Sequence, residues 1–120
     1  SYGEAWCIPA FDAMGFGKTP ICTDVGGMAD FLSEGGGVLV EGRVEPVTGM
    51  VESFKELYTG HERWVSIDIL KLMKEMRRMY NMSNDKDDLY TEMKRQGLKS
   101  AYNHSYEAIG TVIKETLNVN

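Results

Sequence analysis

Two carboxylates, Glu4 and Asp12, flank a stretch of backbone suited to anion binding. Glu4 sits in the tight segment Gly3-Glu4-Ala5, and Asp12 falls within the first turns of a helix beginning near Ile8. Between them the N–H groups of Trp6, Cys7 and Ile8 lead into the helix N-terminus. Such donors have no intrahelical partner, and the helix dipole adds partial positive charge. Together they suit a diphosphate. Carboxylates beside that cradle can accept hydrogen bonds from sugar hydroxyls, so the pairing has the chemistry a nucleotide sugar requires. The same residues also allow a plainer account. Asp12 near a helix start favours the dipole, and Glu4 is then an ordinary loop acid.

Other reactive residues carry less. Cys7 and Cys22, in an acidic chain without a visible targeting segment, read as reduced thiols of a cytoplasmic protein. The two cysteines and two histidines are too scattered for a zinc site, and no metal is expected. His61 and His104 read as surface or cap residues away from the acidic motif. Asp85, Asp87 and Asp88 make a solvated helix start, since calcium-loop spacing and its closing glutamate are absent. Gly26-Gly27 fit either a backbone turn approaching a nucleotide or a simple helix start, and the second is favoured.

The elements that must position these groups divide by composition. Residues 1–42 are glycine-rich and alternate helix with strand; residues 62–120 are charged, glycine-poor and helical. Pro9 suits the first turn of a helix reaching about Phe16, with Gly15 and Gly17 available to end it. Thr19 to Thr23 is a brief apolar run opened by Pro20, and it reads as a buried strand. Gly26-Gly27 open a helix through Leu32, Gly35-Gly36-Gly37 close it, and Val38-Leu39-Val40 form the next strand. Residues 41–49 read as a loop or irregular extended segment and 50–57 as a helix. Ser66 then caps an amphipathic helix with Ile69, Leu70, Met73, Met76 and Tyr80 on one face. Further helices run through Leu89, Met93 and Leu98, and from Ser105 through Ile109, Val112, Ile113 and Leu117. Trp64, Met73, Met76 and Met79 read as core. The expectation is an α/β fold with a partial, Rossmann-like parallel sheet followed by C-terminal helices. That pattern opens without its first strand, which reads as truncation.

Bulk properties exclude several classes. A chain of 120 residues holds one small domain, and 42% hydrophobic with 26% charged residues is globular composition. A net charge of -5 without a basic block argues against nucleic acid as a partner. No apolar run approaches the ~20 residues of a membrane-spanning helix.

The stretch Gly3-Glu4-Ala5-Trp6-Cys7-Ile8-Pro9-Ala10-Phe11-Asp12-Ala13-Met14 resembles the E-x7-E segment of retaining GT-B glycosyltransferases of family 4. Asp24-Val25-Gly26-Gly27-Met28-Ala29-Asp30 is similar to that family's D-x-G-G-x-x-E turn and helix, and Gly36-Gly37-Val38-Leu39-Val40 to its G-x-L-V strand. His104-Ser105-Tyr106-Glu107-Ala108-Ile109 resembles the F-S-W-E-x-I start of its last helix. The first forty residues match in order and spacing, the remainder in pattern.

The resemblance implies the donor-binding portion of an enzyme that transfers a sugar from a nucleotide sugar with retention. Glu4 would be catalytic, bonding a hydroxyl of the transferred sugar and steadying charge in the transition state. Asp12 would accept from the ribose hydroxyls, and the backbone around Ala5, Trp6, Cys7 and Ile8 would hold the sugar and diphosphate. No cofactor or metal is implied; the nucleotide sugar is a substrate. Asp12 is shorter than the family's glutamate, Ala5 and Cys7 stand where it has glycines, and Trp6 replaces phenylalanine. The family's acceptor domain and basic diphosphate clamp have no counterpart here, so the chain alone is expected to be inactive. The alternative is a non-catalytic nucleotide-binding or self-association half-domain, with an open sheet edge inviting a second copy.

Overall fold

The computed structural model of the chain describes residues 3–49 and 58–117. Helix α1 (Ile8–Gly15) carries Pro9 in its first turn, where a missing N–H costs nothing. It ends in a Schellman arrangement: Gly17 N–H donates to the Met14 carbonyl and Lys18 N–H to that of Ala13, both at 2.9 Å. Gly17 supplies the positive φ of 68° that this turn requires. Strand β1 (Ile21–Thr23) follows Pro20, helix α2 (Gly27–Leu32) starts from Gly26, and strand β2 (Val38–Val40) follows Gly37. The two strands pair in parallel, Ile21 opposite Val38 and Thr23 opposite Val40. The expected parallel pairing is present.

Side chains alternate across a strand, and here each face meets different helices. Leu39 and Cys22 pack on Ala10 and Met14 of α1 and on Met28, Phe31 and Leu32 of α2. Val38, Val40 and Ile21 pack on Met79 and Met82 of helix α3 (Ile69–Asn84) and Met93 of helix α4 (Asp88–Asn103). Helices therefore cover both faces of a two-stranded parallel sheet. The buried Ser100 hydroxyl of α4 donates to the Phe31 carbonyl at 3.0 Å, tying α4 to the end of α2.

Several expectations do not hold. The segment after β2 is a regular strand, β3 (Gly42–Pro46), antiparallel to β4 (Arg63–Ile67), so the part read as helical from residue 62 begins with a strand. Ser66 therefore lies inside β4 opposite Arg43, and Asp68 caps α3 instead. Its carboxylate accepts from the N–H groups of Leu70 at 2.9 Å and Lys71 at 3.2 Å, satisfying donors the helix leaves open. Those contacts lower its pKa, the Lys71 amide most. Gly15 is the last residue of α1 and does not take the positive φ expected of it; Gly17 alone does. Of the expected core methionines, Met79 is buried, whereas Met73 and Met76 are exposed. Trp64 is half-buried in β4. The helix expected over 50–57 lies outside the described residues.

The last helix, α5 (Tyr106–Leu117), is preceded by Ser105, whose hydroxyl accepts from the Ala108 N–H at 3.2 Å as expected of a cap. No residue of α5 is buried. Among the described residues no helix is long and apolar enough to cross a membrane.

Candidate functional site

Glu4 and Asp12 are both exposed, one in the loop before α1 and the other in its second turn. Cys7 links them. It precedes the helix with φ 61° and ψ 64°, a left-handed conformation that a side chain normally disfavours. Its carbonyl accepts the first helical bonds, from Ala10 N–H at 3.0 Å and Phe11 N–H at 3.2 Å. Among the described residues, no hydrogen bond engages the N–H groups of Trp6, Cys7 or Ile8. The start of α1 thus presents open donors between two solvent-facing carboxylates, the geometry that binds anions at helix termini. The Glu4 carboxylate accepts from the Ala5 N–H at 3.1 Å, which holds it close to its own loop.

Two sets of contacts fix this loop. Gly27 N–H donates to the Ala5 carbonyl at 2.9 Å. A Cβ on Gly26 would stand 1.9 Å from the Glu4 carbonyl oxygen, and one on Gly27 would stand 2.3 Å from that of Ala5. No side chain fits at either position. The glycine pair thus serves as more than a helix start, because it seats the loop that carries Glu4. The second set is aromatic. The Trp6 ring lies 5.1 Å from Phe31, 5.6 Å from Phe11 and 5.3 Å from the His104 imidazole, centre to centre.

His104 corrects the sequence reading, which placed it away from the motif. Its Nδ1 lies 2.8 Å from the Ser100 carbonyl at the end of α4, and its ring rests on Trp6 and, at 6.0 Å, on Phe11. The signal available in sequence was its place in the segment resembling F-S-W-E-x-I, where an aromatic ring stands. His61 is exposed.

No family model, curated protein or solved structure matches the chain. The site therefore rests on its own geometry. Cys7 and Cys22 are free thiols. Burial pushes the Cys22 thiol upward, and the neighbouring Cys7 adds to the shift, so Cys22 is a poor nucleophile. Among the described residues no cluster of three His, Cys, Asp or Glu side chains is placed to hold a metal ion.

The left-handed turn at Cys7 gives a simple test. Cys7→Gly is expected to be about 1 kcal/mol more stable than Cys7→Ala, because only glycine adopts that φ without steric cost. Urea denaturation of the two variants measures the difference. Equal stabilities, or a more stable alanine variant, would show that the loop does not need a left-handed residue before Ile8.

Proposed function

We propose that this chain is the donor-binding portion of a retaining glycosyltransferase that uses a nucleotide sugar, built on a Rossmann-like sheet and working in the cytoplasm. The observation that supports it most is the open amide run of Trp6, Cys7 and Ile8 between Glu4 and Asp12, on a loop seated by Gly26 and Gly27. In this reading the donor diphosphate lies at the N-terminus of α1, where the dipole and unpaired N–H groups favour its charge. Asp12 accepts hydrogen bonds from the ribose hydroxyls. Glu4 bonds a hydroxyl of the sugar being transferred and offsets positive charge as the bond to the diphosphate breaks. The backbone of Ala5 to Ile8 completes the pocket wall. Electrostatic positioning is the catalytic device, and the nucleotide sugar is substrate rather than cofactor.

Calorimetric titration with uridine and guanosine diphosphates tests the binding half of this assignment. Asp12→Ala should weaken binding of the preferred nucleotide by about 1.5–3 kcal/mol, the range for hydrogen bonds to a charged group. Asp12→Glu should be far milder. In a protein competent for transfer, Glu4→Ala should lower turnover more than donor affinity, since its contact strengthens as charge develops. Unchanged affinity in Asp12→Ala would remove the ribose role. Unchanged turnover in Glu4→Ala would remove the catalytic one.

A further inference from the structure

Helix α3 carries two apolar faces, and among the described residues only one of them packs on the core. Leu72, Met79 and Met82 pack toward the sheet. On the other side Ile69, Leu70, Met73, Met76 and Tyr80 are each 55–68% exposed. Lys74 follows Leu70, and Arg77 follows Met73, at the spacing that makes helix neighbours. Both are exposed, and the Arg77 guanidinium lies 5.7 Å from the Tyr80 ring centre. Leu70, Met73, Met76 and Tyr80 run along this exposed surface of α3 beside Lys74 and Arg77. It is a basic, apolar strip on a chain of net charge -5.

A second exposed apolar face lies on α5. Ile109, Val112, Ile113 and Leu117 are 41–64% exposed. Glu115 and Lys114 flank this stripe on opposite sides, and with Glu107 the helix carries a net charge of -1, against +3 for α3 (Lys71, Lys74, Arg77 and Arg78 less Glu75). An amphipathic helix with nothing buried has little to hold it helical. The molecule is also flat, 49 × 45 × 17 Å, with a radius of gyration of 17.5 Å. A compact chain of this length would have a radius of about 14 Å.

We infer that the occupant of the α3 strip is α5 of a second copy, exchanged reciprocally across a twofold axis. A reciprocal contact of this kind is self-complementary and closes at two subunits. It covers both exposed stripes at once and sets a helix of net negative charge against one of net positive charge. An α3-on-α3 contact would instead bring Lys74 and Arg77 against their own copies and leave α5 bare. Nine large apolar side chains per copy supply area on the scale of the ~800 Å² per partner that a standard interface buries. The contact is separate from the donor site and holds or fails independently of it.

Sedimentation equilibrium on the full chain tests the inference, with Met73→Glu on α3 and Val112→Glu on α5. Both positions are exposed, and circular dichroism of each variant checks that the fold is kept. Wild type should show twice the 13.5 kDa chain mass. Each variant should dimerise about a hundredfold more weakly, because a charge enters an apolar contact. Mixing the two variants should restore much of the dimer, since one of its two α3–α5 seats is then wild type on both sides. A wild-type monomer at high micromolar concentration overturns the inference. So do a dimer indifferent to either change, a mixture no stronger than its components, and a monomer that co-floats with phosphatidylserine vesicles, which would make a lipid surface the occupant.

Discussion

Gly26→Ala is expected to cost roughly 3–5 kcal/mol of stability and to displace Glu4 with it. Two effects add at this one residue. Gly26 holds φ 61° with ψ -153°, a region that essentially only glycine occupies, so strain of about 1–3 kcal/mol is expected before any neighbour is considered. The new Cβ would also stand 1.9 Å from the Glu4 carbonyl oxygen and 3.1 Å from its carbonyl carbon. The obstacle is backbone, which cannot rotate aside as a flexible side chain would. Relief requires the Gly3–Ala5 segment to lift off α2, which breaks the bond from Gly27 N–H to the Ala5 carbonyl. Ligand binding should therefore fall further than the stability loss alone accounts for, even where the variant remains folded. Denaturant unfolding and nucleotide titration on one sample separate the two losses. A variant of wild-type stability would mean that α2 does not press on the Glu4 loop.

Gly97 should show an inverted sign. Glycine inside a helix normally yields about 1 kcal/mol when replaced by alanine, through reduced chain entropy. Here Gly97 lies mid-helix in α4, with the turn at Gly36 and the fully buried Met14 against it. A Cβ on Gly97 would stand 2.7 Å from Met14 Cγ, and one on Gly36 would stand 2.6 Å from Gly97 Cα. Gly97→Ala should consequently lose about 1–3 kcal/mol, and Gly36→Ala roughly 3 kcal/mol or more, since its obstacle is backbone. Gly110 in α5 is the control, because nothing lies within 4 Å of its would-be Cβ. There alanine should give the ordinary gain. Thermal unfolding of these three variants measures the contrast. A stabilising Gly97→Ala would show that α4 does not approach the Gly36 turn so closely.

These glycines also mark what a sequence can and cannot disclose. The parallel strands at Ile21 and Val38 were legible because each is a short apolar run bounded by glycine or proline. The start of α1 was legible from Pro9. Helix α3 was legible as a helix but not in its orientation. Leu72, Met79 and Met82 make one apolar face, and Met73, Met76 and Tyr80 make another. Periodicity scores both alike, so the more populated face was expected inward, and it is the exposed one. The β3–β4 pair was not legible, because β3 has few apolar residues and its partner begins seventeen residues beyond Pro46. Ser66 and Asp68 are both competent caps. Tertiary pairing of Ser66 with Arg43 decides between them.

Within the site, the acids and amides from Glu4 to Asp12 were readable as a local pattern. The contacts that hold them were not. Gly27 on Ala5 joins residues 22 positions apart, and His104 on Trp6 joins residues 98 apart, distances over which no local periodicity carries information. The backbone at Cys7 is a further feature that sequence alone does not disclose. Its left-handed φ is one that a glycine would adopt freely, and nothing about a cysteine in sequence signals it.

The donor assignment is tested most directly by nuclear magnetic resonance titration of the full chain with uridine diphosphate and guanosine diphosphate. With backbone amides assigned, one of the two nucleotides should shift the Trp6, Cys7 and Ile8 signals in a saturable manner, with Gly26 and Gly27 responding through the loop they seat. Asp12→Ala should weaken that response without moving its location. If neither nucleotide perturbs these amides at millimolar concentration, or if the perturbed residues lie elsewhere, the start of α1 is not a donor site and the glycosyltransferase reading is contradicted.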